Sequence, residues 1–195
     1  MEERKYIKKL VGDSVYLSPV SVEDFQEYTH MINDINVALG LGYFTYAEIV
    51  DYEKEKELLE KLKNDSMFAV RLIENNELLG NVGFNELNKV HRNAVLGIML
   101  GNPKHQGKGY GKEAMNLLLD YGFSFLNLES ISLNVFEYNE IAYNLYKKIG
   151  FKEVGRLRKN IEVIGKRYDV IIMDILKDEF ESPYIKKEVK KRYRF

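Results

Sequence analysis

The sequence predicts an α+β fold in which helices cover both faces of a mixed sheet, as a three-layer α/β/α sandwich. Three observations predict it: strand-like runs with hairpin turns fill the middle of the chain, a helix follows a glycine-rich loop, and two strands close the sequence. Strands and helices are mixed without a regular βαβ repeat, which favours α+β over a doubly wound sheet. The chain has 195 residues and no internal repeat, so we expect one domain.

The first elements are predicted from alternation and from helix caps. Apolar residues alternate with polar ones over residues 15–19, which predicts a strand. Residues 21–24 have the form of a capping box, and a helix is expected to follow. Residues 45–48 form a second such box and predict a helix that ends near Asn64. Its inward residues are expected to be Ile49, Tyr52, Leu59 and Leu62.

The later elements follow the same two periodicities. Strands are predicted over residues 67–73, 78–84, 94–100, 131–136, 151–163 and 168–176. A helix follows the glycine-rich loop, and a short helix runs from Asn139 to Gly150. The residues expected on the buried face of the first of these helices are Ala114, Leu117, Leu118, Tyr121 and Phe125.

Composition excludes several classes of function. There is no cysteine, so thiol nucleophiles, disulfides and thiolate metal sites are excluded. The 29 basic and 30 acidic side chains nearly cancel, so nucleic-acid binding is not expected. The three histidines lack metal-ligand spacing, and no metal is expected. The charged N-terminus lacks the apolar part of a signal peptide, and no apolar run approaches membrane-spanning length, so we expect a cytoplasmic protein without a membrane partner.

A glycine-rich loop carries most of the chemical information. Gly107, Gly109 and Gly111 stand between a predicted strand and a predicted helix. Glycines let the backbone approach a ligand closely, and the helix N-terminus favours an anion, so the loop suits a diphosphate. Lys108 and Lys112 can add positive charge. The spacing fits neither a Walker A loop nor a dinucleotide-binding fingerprint; a tight turn whose glycines serve packing alone is the alternative.

Two motifs resemble the GNAT superfamily of N-acetyltransferases. Residues 106–111, QGKGYG, are similar to its Q/R-x-x-G-x-G/A signature, and residues 95–100 to its preceding strand. Residues 139–151 resemble its second motif, N-x-x-A-x-x-x-Y-x-x-x-G-F. Segments 90–94 and 120–128 are similar to the RimJ/RimL-type branch, to which bacterial spermidine acetyltransferases are related.

The resemblance implies a GNAT-like, mostly antiparallel sheet of seven strands, in which two parallel central strands, here residues 94–100 and 131–136, splay apart. It also implies acetyl-CoA as the co-substrate and transfer of its acetyl group to a primary amine. The unpaired backbone of the splayed strands would hold the pantetheine arm, and residues 106–112 the diphosphate. The coenzyme-binding residues implied are Ile98, Met99, Leu100, Gln106, Gly107, Lys108, Gly109, Tyr110, Gly111, Lys112, Asn134, Asn139 and Ala142.

Two catalytic residues are expected. Tyr146 lies two helical turns after Asn139 and can reach the sulfur end of the coenzyme; in the family this tyrosine is the usual general acid. The other interpretation is a core aromatic. Many relatives carry a glutamate base where this chain has Val95, so Glu86 is the candidate base, with His91 or water alone as alternatives.

The acceptor amine is left open by the sequence. The acceptor pocket is expected to include the connection at residues 39–46, which contains glycines and aromatic residues and can line or cover it. A protein N-terminus or a small amine such as a polyamine or an aminoglycoside fits, although Glu48 and Asp51 alone supply acidic residues there. A catalytically idle acyl-CoA sensor or interaction module on the same fold is the alternative function.

The C-terminus is predicted to be distinct from the rest of the chain. Residues 1–182 are assigned to the acetyltransferase domain and residues 183–195 to a basic amphipathic tail. That tail is expected to dock as a helix on its own domain or on a second subunit. The alternative is that its basic residues bind ribosomal RNA. A homo-oligomer such as a dimer is left open.

Overall fold

The computed structural model describes residues 6–42, 48–63, 66–101 and 103–193, which form eight β-strands and six α-helices. The strands are β1 (Leu10–Val11), β2 (Val15–Pro19), β3 (Met67–Leu72), β4 (Leu78–Asn88), β5 (Asn93–Leu100), β6 (Ser130–Phe136), β7 (Lys152–Val163) and β8 (Lys166–Leu176). The helices are α1 (Phe25–Ile32), α2 (Ile35–Leu41), α3 (Tyr52–Leu62), α4 (Tyr110–Ser124), α5 (Glu140–Ile149) and α6 (Ile185–Arg192). Within these ranges no helix is long and apolar enough to cross a membrane.

All the strands belong to one sheet, in the order β1-β2-β3-β4-β5-β6-β8-β7. Each neighbouring pair is antiparallel except β5 and β6, which run parallel. The parallel pair is short: its register runs from Asn93↔Ser130 to Val95↔Ser132 and goes no further. Beyond Val95 the two strands diverge, and the predicted splayed pair is confirmed.

Two layers of helices cover the sheet. On the face that we call the α4 face, Leu96, Ile131 and Leu133 join buried residues of α4 and α5 in the main hydrophobic core. On the opposite face, the α1 face, Met99 packs in a second buried cluster with Tyr28 of α1 and Leu59 of α3. The predicted three-layer sandwich is therefore present.

The sheet has one strand more than the seven that the resemblance implied. The extra strand, β1, has two residues and forms a tight hairpin with β2, in which Gly12 N donates to Val15 O at 2.9 Å. The carboxylate of Glu113, in the first turn of α4, accepts from the backbone N–H groups of Ser14 and Val15. A strand this short leaves no periodic pattern in the sequence.

The first predicted capping box forms only in part. Ser21 Oγ accepts from Glu23 N at 3.3 Å, but Asp24 turns into the protein instead of completing the box. Asp24 is paired there with the buried guanidinium of Arg71. The segment Val22–Asp24 is consequently a 3₁₀ turn, and α1 begins only at Phe25.

The predicted start of the next long helix is wrong. Residues 45–47 lie outside the described residues, but α3 begins at Tyr52, where Asp51 Oδ1 accepts from Lys54 N at 2.9 Å. Ile49, expected to face inward, is 85% exposed because it precedes the helix. Leu59 is fully buried, as predicted.

Residues 39–41 of the connection expected beside the acceptor pocket belong to α2, whose N-terminus is capped by Asp34, and Gly42 follows as its C-cap. Residues 43–46 lie outside the described residues, so the role of this connection at the pocket stays a prediction. The expected burial of Phe125 is wrong. Phe125 is 62% exposed because α4 ends at Ser124, one residue before it.

The C-terminal tail forms the helix α6 and packs on its own domain. The carboxylate of Asp120, fully buried on α4, accepts from Tyr184 N at 2.9 Å and from Ile185 N at 3.1 Å. These bonds satisfy N–H groups that the first turn of a helix leaves without partners. The basic residues Lys190, Lys191 and Arg192 remain exposed.

Candidate active site

The split between β5 and β6 opens at the centre of the sheet. Since β6 stops pairing with β5 after Val95, the edge of β5 from Leu96 to Leu100 has no strand partner on that side within the described part of the chain. In an antiparallel ladder every second residue directs both its N–H and its C=O away from its partner strand, so the edge that faces β6 offers free backbone donors and acceptors. An extended ligand can pair with this edge as an additional strand would.

The residues predicted on the split strands point to both faces. Ile98 and Leu100 are half-buried and pack against the core of the α4 face, whereas Met99 points to the α1 face, where it is 8% exposed. The Met99 carbonyl oxygen lies on the β4 side, close to where a Cβ would stand on Gly80. The predicted contact of Met99 with the coenzyme is therefore not available through its backbone, and the free groups at the split belong to Ile98 and Leu100. Asn134, on β6 beyond the last parallel pair, has an exposed side chain on the α1 face.

The glycine-rich loop leads from the end of β5 into α4. Gly107 and Gly109 have φ angles of +75° and +86°, and open space lies where a Cβ would stand on either residue. Gly109 is the N-cap of α4 and has no side chain, so it cannot cap the helix. The first N–H groups of α4, at Tyr110, Gly111 and Lys112, are left for a ligand, and the helix dipole favours an anion. The loop therefore fits a diphosphate.

The polar side chains predicted in this loop surround that position. Gln106, Lys108 and Lys112 are all exposed, so they can move toward a bound anion. Tyr110 is half-buried and packs against the main core, which fixes the first turn of α4. At Gly111 a Cβ would come within 3.1 Å of Leu100 Cδ1, so this glycine permits close packing of α4 on β5.

Tyr146 is buried in the layer that covers the α4 face. It lies on α5, is 8% exposed, and its ring centroid stands 6.1 Å from that of Phe151. Burial raises the pKa of the Tyr146 phenol to about 12. The hydroxyl therefore stays protonated at every physiological pH, which suits an acid and rules out a resident base.

Tyr143, on the same helix, has different surroundings. Its hydroxyl donates to Glu153 Oε2 at 3.0 Å near the protein surface, and Lys147 Nζ lies 5.5 Å from its ring centroid. The hydrogen bond to Glu153 raises the pKa of the Tyr143 phenol. This tyrosine is tied to the edge strand β7 and not to the split.

Asn139 caps α5, as predicted. Its Oδ1 accepts from Ala142 N at 3.1 Å, so the backbone N–H of Ala142 is already bonded. The Asn139 amide nitrogen faces Gly40 of α2, 3.7 Å from where a Cβ would stand on that glycine. The N–H of Ala142 is therefore not available to a ligand, which can contact this residue through its side chain. The amide nitrogen of Asn139 can still donate a hydrogen bond to a ligand.

Glu86, the expected base, lies directly across the β4–β5 ladder from Val95. Directly paired residues point to the same face. Val95 and Met99 are four residues apart on β5, and residues an even number apart on a strand share a face, so Val95 also points to the α1 face. An open groove of about 550 Å³, which Glu86 and Val95 help to line, lies at this end of the split. The Glu86 side chain is exposed at this groove. His91, the alternative base, is exposed in the hairpin turn beyond β4.

Reasoning from the sequence missed Asn85. The β4–β5 register shifts between Phe84 and Glu86, which makes Asn85 the extra residue of a β-bulge. Its side-chain amide lies over Gly97, where Nδ2 is 2.5 Å from the position of a Cβ. Bulges redirect side chains beside active sites. The two consecutive polar residues Asn85 and Glu86, inside a strand pattern, are the signal that could have indicated the bulge.

The C-terminal end of α2 contacts the residues at the end of β6. The Tyr138 hydroxyl donates to Leu39 O at 2.7 Å. The ring of Phe136 lies 2.7 Å from where a Cβ would stand on Gly42, and it stacks on Tyr138 with centroids 5.5 Å apart. This contact joins the helix to the end of β6. Among the described residues no group of three or more carboxylates and histidines is placed to hold a metal ion.

Comparison with known proteins identifies a family over most of the chain. The profile of the acetyltransferase (GNAT) domain matches residues 14–152. A spermidine N(1)-acetyltransferase of Vibrio cholerae is 34% identical over 143 residues, which cover 72% of this chain and 82% of that protein. Its counterpart in Escherichia coli K12 is 32% identical over 168 residues, which cover 86% of this chain and 88% of the relative.

Solved structures agree with the fold. The spermidine N-acetyltransferase of Vibrio cholerae, solved in complex with CoA and spermine, superposes with a TM-score of 0.76 at 30% identity. That alignment covers 85% of this chain and 96% of the other. A GNAT-family acetyltransferase of Bacillus anthracis gives a TM-score of 0.77 at 23% identity over 87% of this chain and 99% of the other, a likeness of fold alone. With the split sheet and the glycine-rich loop, these matches establish that the chain belongs to the GNAT family and is an acetyl-CoA-dependent N-acetyltransferase.

Proposed function

We propose that this enzyme transfers the acetyl group of acetyl-CoA directly to a primary amine of a small, multiply charged substrate of the polyamine class. The observation that carries the proposal is the placement of Tyr146 and Glu86. Tyr146 belongs to the helix layer on the α4 face and Glu86 points to the α1 face, so the two residues lie on opposite sides of the split. An acid and a base so separated can serve the two ends of one acyl transfer.

The acceptor amine has to be neutral before it can attack the thioester. An amine that enters from the α1 face meets the groove lined by Glu86, whose carboxylate accepts the proton directly or through one water. The nitrogen then forms a bond to the acetyl carbon, and the carbon–sulfur bond breaks. Tyr146 donates its proton to the departing sulfur, the bonded nitrogen releases its second proton to water, and the Tyr146 phenolate regains a proton from water.

The coenzyme supplies the activated acetyl group, and the chain orients it. The loop at residues 106–112 holds the diphosphate, and the free backbone edge of β5 at Ile98 and Leu100 holds the pantetheine arm. Asn139 binds the arm through its amide nitrogen, and Asn134 borders the opposite strand. A backbone N–H of β5 donates to the carbonyl oxygen as it gains negative charge. Holding both reactants together contributes much of the acceleration, since effective molarities of order 10⁵ M are attainable.

Two observations support a polyamine over other amines. The curated relatives from Vibrio cholerae and Escherichia coli are named for spermidine. The α1 side of the protein also presents carboxylates: Glu86 in one groove, and Asp34 and Asp51 in a second groove of about 500 Å³ beside α1 and α3. Carboxylates spaced along one side suit a substrate with several ammonium groups. Such amines and acetyl-CoA occur together in the cytoplasm, where we propose that the enzyme acts.

The test is a thiol-release assay with acetyl-CoA and a panel of amines. The panel contains spermidine, spermine, an aminoglycoside, free lysine and an N-terminal peptide. We expect the highest kcat/KM with a polyamine. A higher kcat/KM with the peptide or the aminoglycoside would overturn the substrate class. Binding of acetyl-CoA without turnover of any amine would instead favour the idle sensor.

A further inference from the structure

One side chain beside the glycine-rich loop has a contact that the reaction does not use. His105 closes the 3₁₀ turn Pro103–His105 and immediately precedes the loop. Its Nε2 lies 2.9 Å from Glu77 Oε1, and the histidine side chain is 15% exposed. Glu77 belongs to the turn between β3 and β4, 28 residues earlier in the chain. The pair therefore joins the loop to a separate part of the scaffold.

The histidine ring also contacts the other end of the loop. Its centroid lies 5.8 Å from that of Tyr110, the first residue of α4, which packs against the main core. The second ring nitrogen, Nδ1, is buried without a hydrogen-bond partner among the described residues. Glu77 and Tyr110 therefore determine how the ring is oriented. The loop residues between them, Gln106 to Gly109, span the gap.

The charge on Glu77 strengthens this contact. The hydrogen bond with His105 holds the pKa of the Glu77 carboxyl below its usual value, and Lys104 acts in the same direction. The carboxylate therefore stays ionised and accepts a charge-assisted hydrogen bond, which is stronger than one between neutral groups.

The loop needs such a support because its own residues provide little rigidity. Gly107 and Gly109 both occupy the left-handed region, with open space in place of a Cβ. Glycines have more accessible conformations than other residues, and a loop that is free to explore them loses that freedom when it binds a ligand. A fixed point at each end reduces this loss before the ligand arrives.

We propose that His105 is a positioning residue for the coenzyme: its contacts with Glu77 and Tyr110 hold residues 106–109 so that their backbone N–H groups face the diphosphate. The proposal rests on the assignment of this loop to the diphosphate of acetyl-CoA. It predicts an effect on coenzyme affinity and none on the chemical step.

The first test uses His105→Leu and Glu77→Ala. We expect each to raise the Kd for CoA and the KM for acetyl-CoA by about tenfold, the effect of losing one charge-assisted hydrogen bond, with kcat changed less than about twofold. The double variant should be no worse than either single one, because both remove the same contact. His105→Gln, whose side-chain amide can donate to Glu77, should recover most of the affinity. Glu74→Ala, on the same turn, is the matched control.

The second test separates loop positioning from a general loss of structure. S-acetylpantetheine carries the same thioester as acetyl-CoA but has no diphosphate. For this donor we expect the kcat/KM of His105→Leu to equal that of the parent protein. Equal losses with both donors, or unchanged CoA affinity in His105→Leu and Glu77→Ala, would overturn the proposal. If the parent protein itself fails to bind CoA, it is the coenzyme assignment of the loop that fails.

Discussion

Tyr146 and Tyr143 stand on the same helix, one turn apart, and their surroundings give them different chemistry. Tyr146 is buried against Phe151, and desolvation keeps its phenol protonated. Tyr143 is bound to Glu153 near the protein surface. The motif of the family selects Tyr146 from the sequence, and the structure supplies the physical reason why it suits the role of acid.

We predict that Tyr146→Phe lowers kcat by about 10²-fold or more, the usual contribution of a general acid. The variant keeps the ring and its packing, so the Kd for CoA should change by less than about twofold. Initial rates of thiol release and CoA titrations provide the two measurements. Tyr143→Phe is the control and should retain full turnover; equal losses in both variants would mean that the proton comes from elsewhere.

Glu86 shows where reasoning from the sequence reaches its limit at a single residue. The sequence indicates that Val95 cannot act as a base, but only the strand register places a carboxylate directly opposite it. The pairing of His105 with Glu77 was likewise hidden, because it is a contact between residues that are distant in the sequence.

We predict that Glu86→Gln lowers kcat/KM for the amine by about 10²-fold at pH 7, because no carboxylate then removes the ammonium proton. The deficit should shrink as the pH approaches about 10, where an alkylamine becomes neutral without help. The pH profile of kcat/KM measures both effects. Glu181→Gln, at an exposed site away from the split, serves as the control. A variant that loses nothing at pH 7 would leave water as the base.

At the scale of elements, the loop and α4 work as one unit. The strand that ends at Leu100 and the helix that follows the glycine-rich loop were predicted from the sequence, whereas the left-handed conformation of Gly107 and Gly109 and the uncapped first turn of α4 are seen only in the structure. The start of α3 was predicted wrongly, because residues 45–48 and Asp51 both have the chemistry of an N-cap, and α3 begins after Asp51. Local propensity alone does not distinguish two such start points.

We predict that Gly107→Ala and Gly109→Ala each raise the Kd for CoA by about tenfold. A side chain costs about 1–2 kcal/mol in the left-handed conformation, so the loop relaxes and binding has to restore it. Gly155→Ala is the matched control, since that glycine lacks a positive φ and its nearest neighbour would be 3.9 Å from the new Cβ. Calorimetric titration with CoA tests all three variants. Unchanged affinity in both loop variants would contradict the assignment of the diphosphate to this loop.

At the scale of the whole molecule, the layer over the α1 face contains buried polar groups that no local pattern predicts. Asp24 and Arg71 are 47 residues apart and pair in the interior. Glu55 of α3 is 2% exposed, and its Oε2 has no hydrogen-bond partner among the described residues. Burial raises the pKa of the Glu55 carboxyl to about 7.

This raised pKa makes the stability of the protein depend on pH. The contribution of protonated Glu55 to the free energy of unfolding is fully present below the ordinary pKa of 4.5 and is lost as the pH rises through about 7. The reason is that the unfolded chain, with the lower pKa, ionises Glu55 first. We predict that Glu55→Gln increases the free energy of unfolding at pH 8 by about 1–3 kcal/mol relative to the parent and flattens its decline between pH 4.5 and 7. Urea unfolding at several pH values measures this, with exposed Glu57→Gln as the control. Parallel pH curves for parent and Glu55→Gln would contradict it.

The arrangement of the sheet was largely predictable, since the strands beyond β1 were expected from alternation and the splayed pair from the family motifs. The point at which the strands part, after Val95 and Ser132, is visible only in the register. A crystal structure of the protein with CoA tests this arrangement most directly. We predict that the diphosphate lies against the backbone N–H groups of residues 107–112, with the pantetheine arm between β5 and β6 and its sulfur within hydrogen-bonding reach of the Tyr146 hydroxyl. Electron density for CoA outside the split, or a sulfur remote from Tyr146, would contradict it.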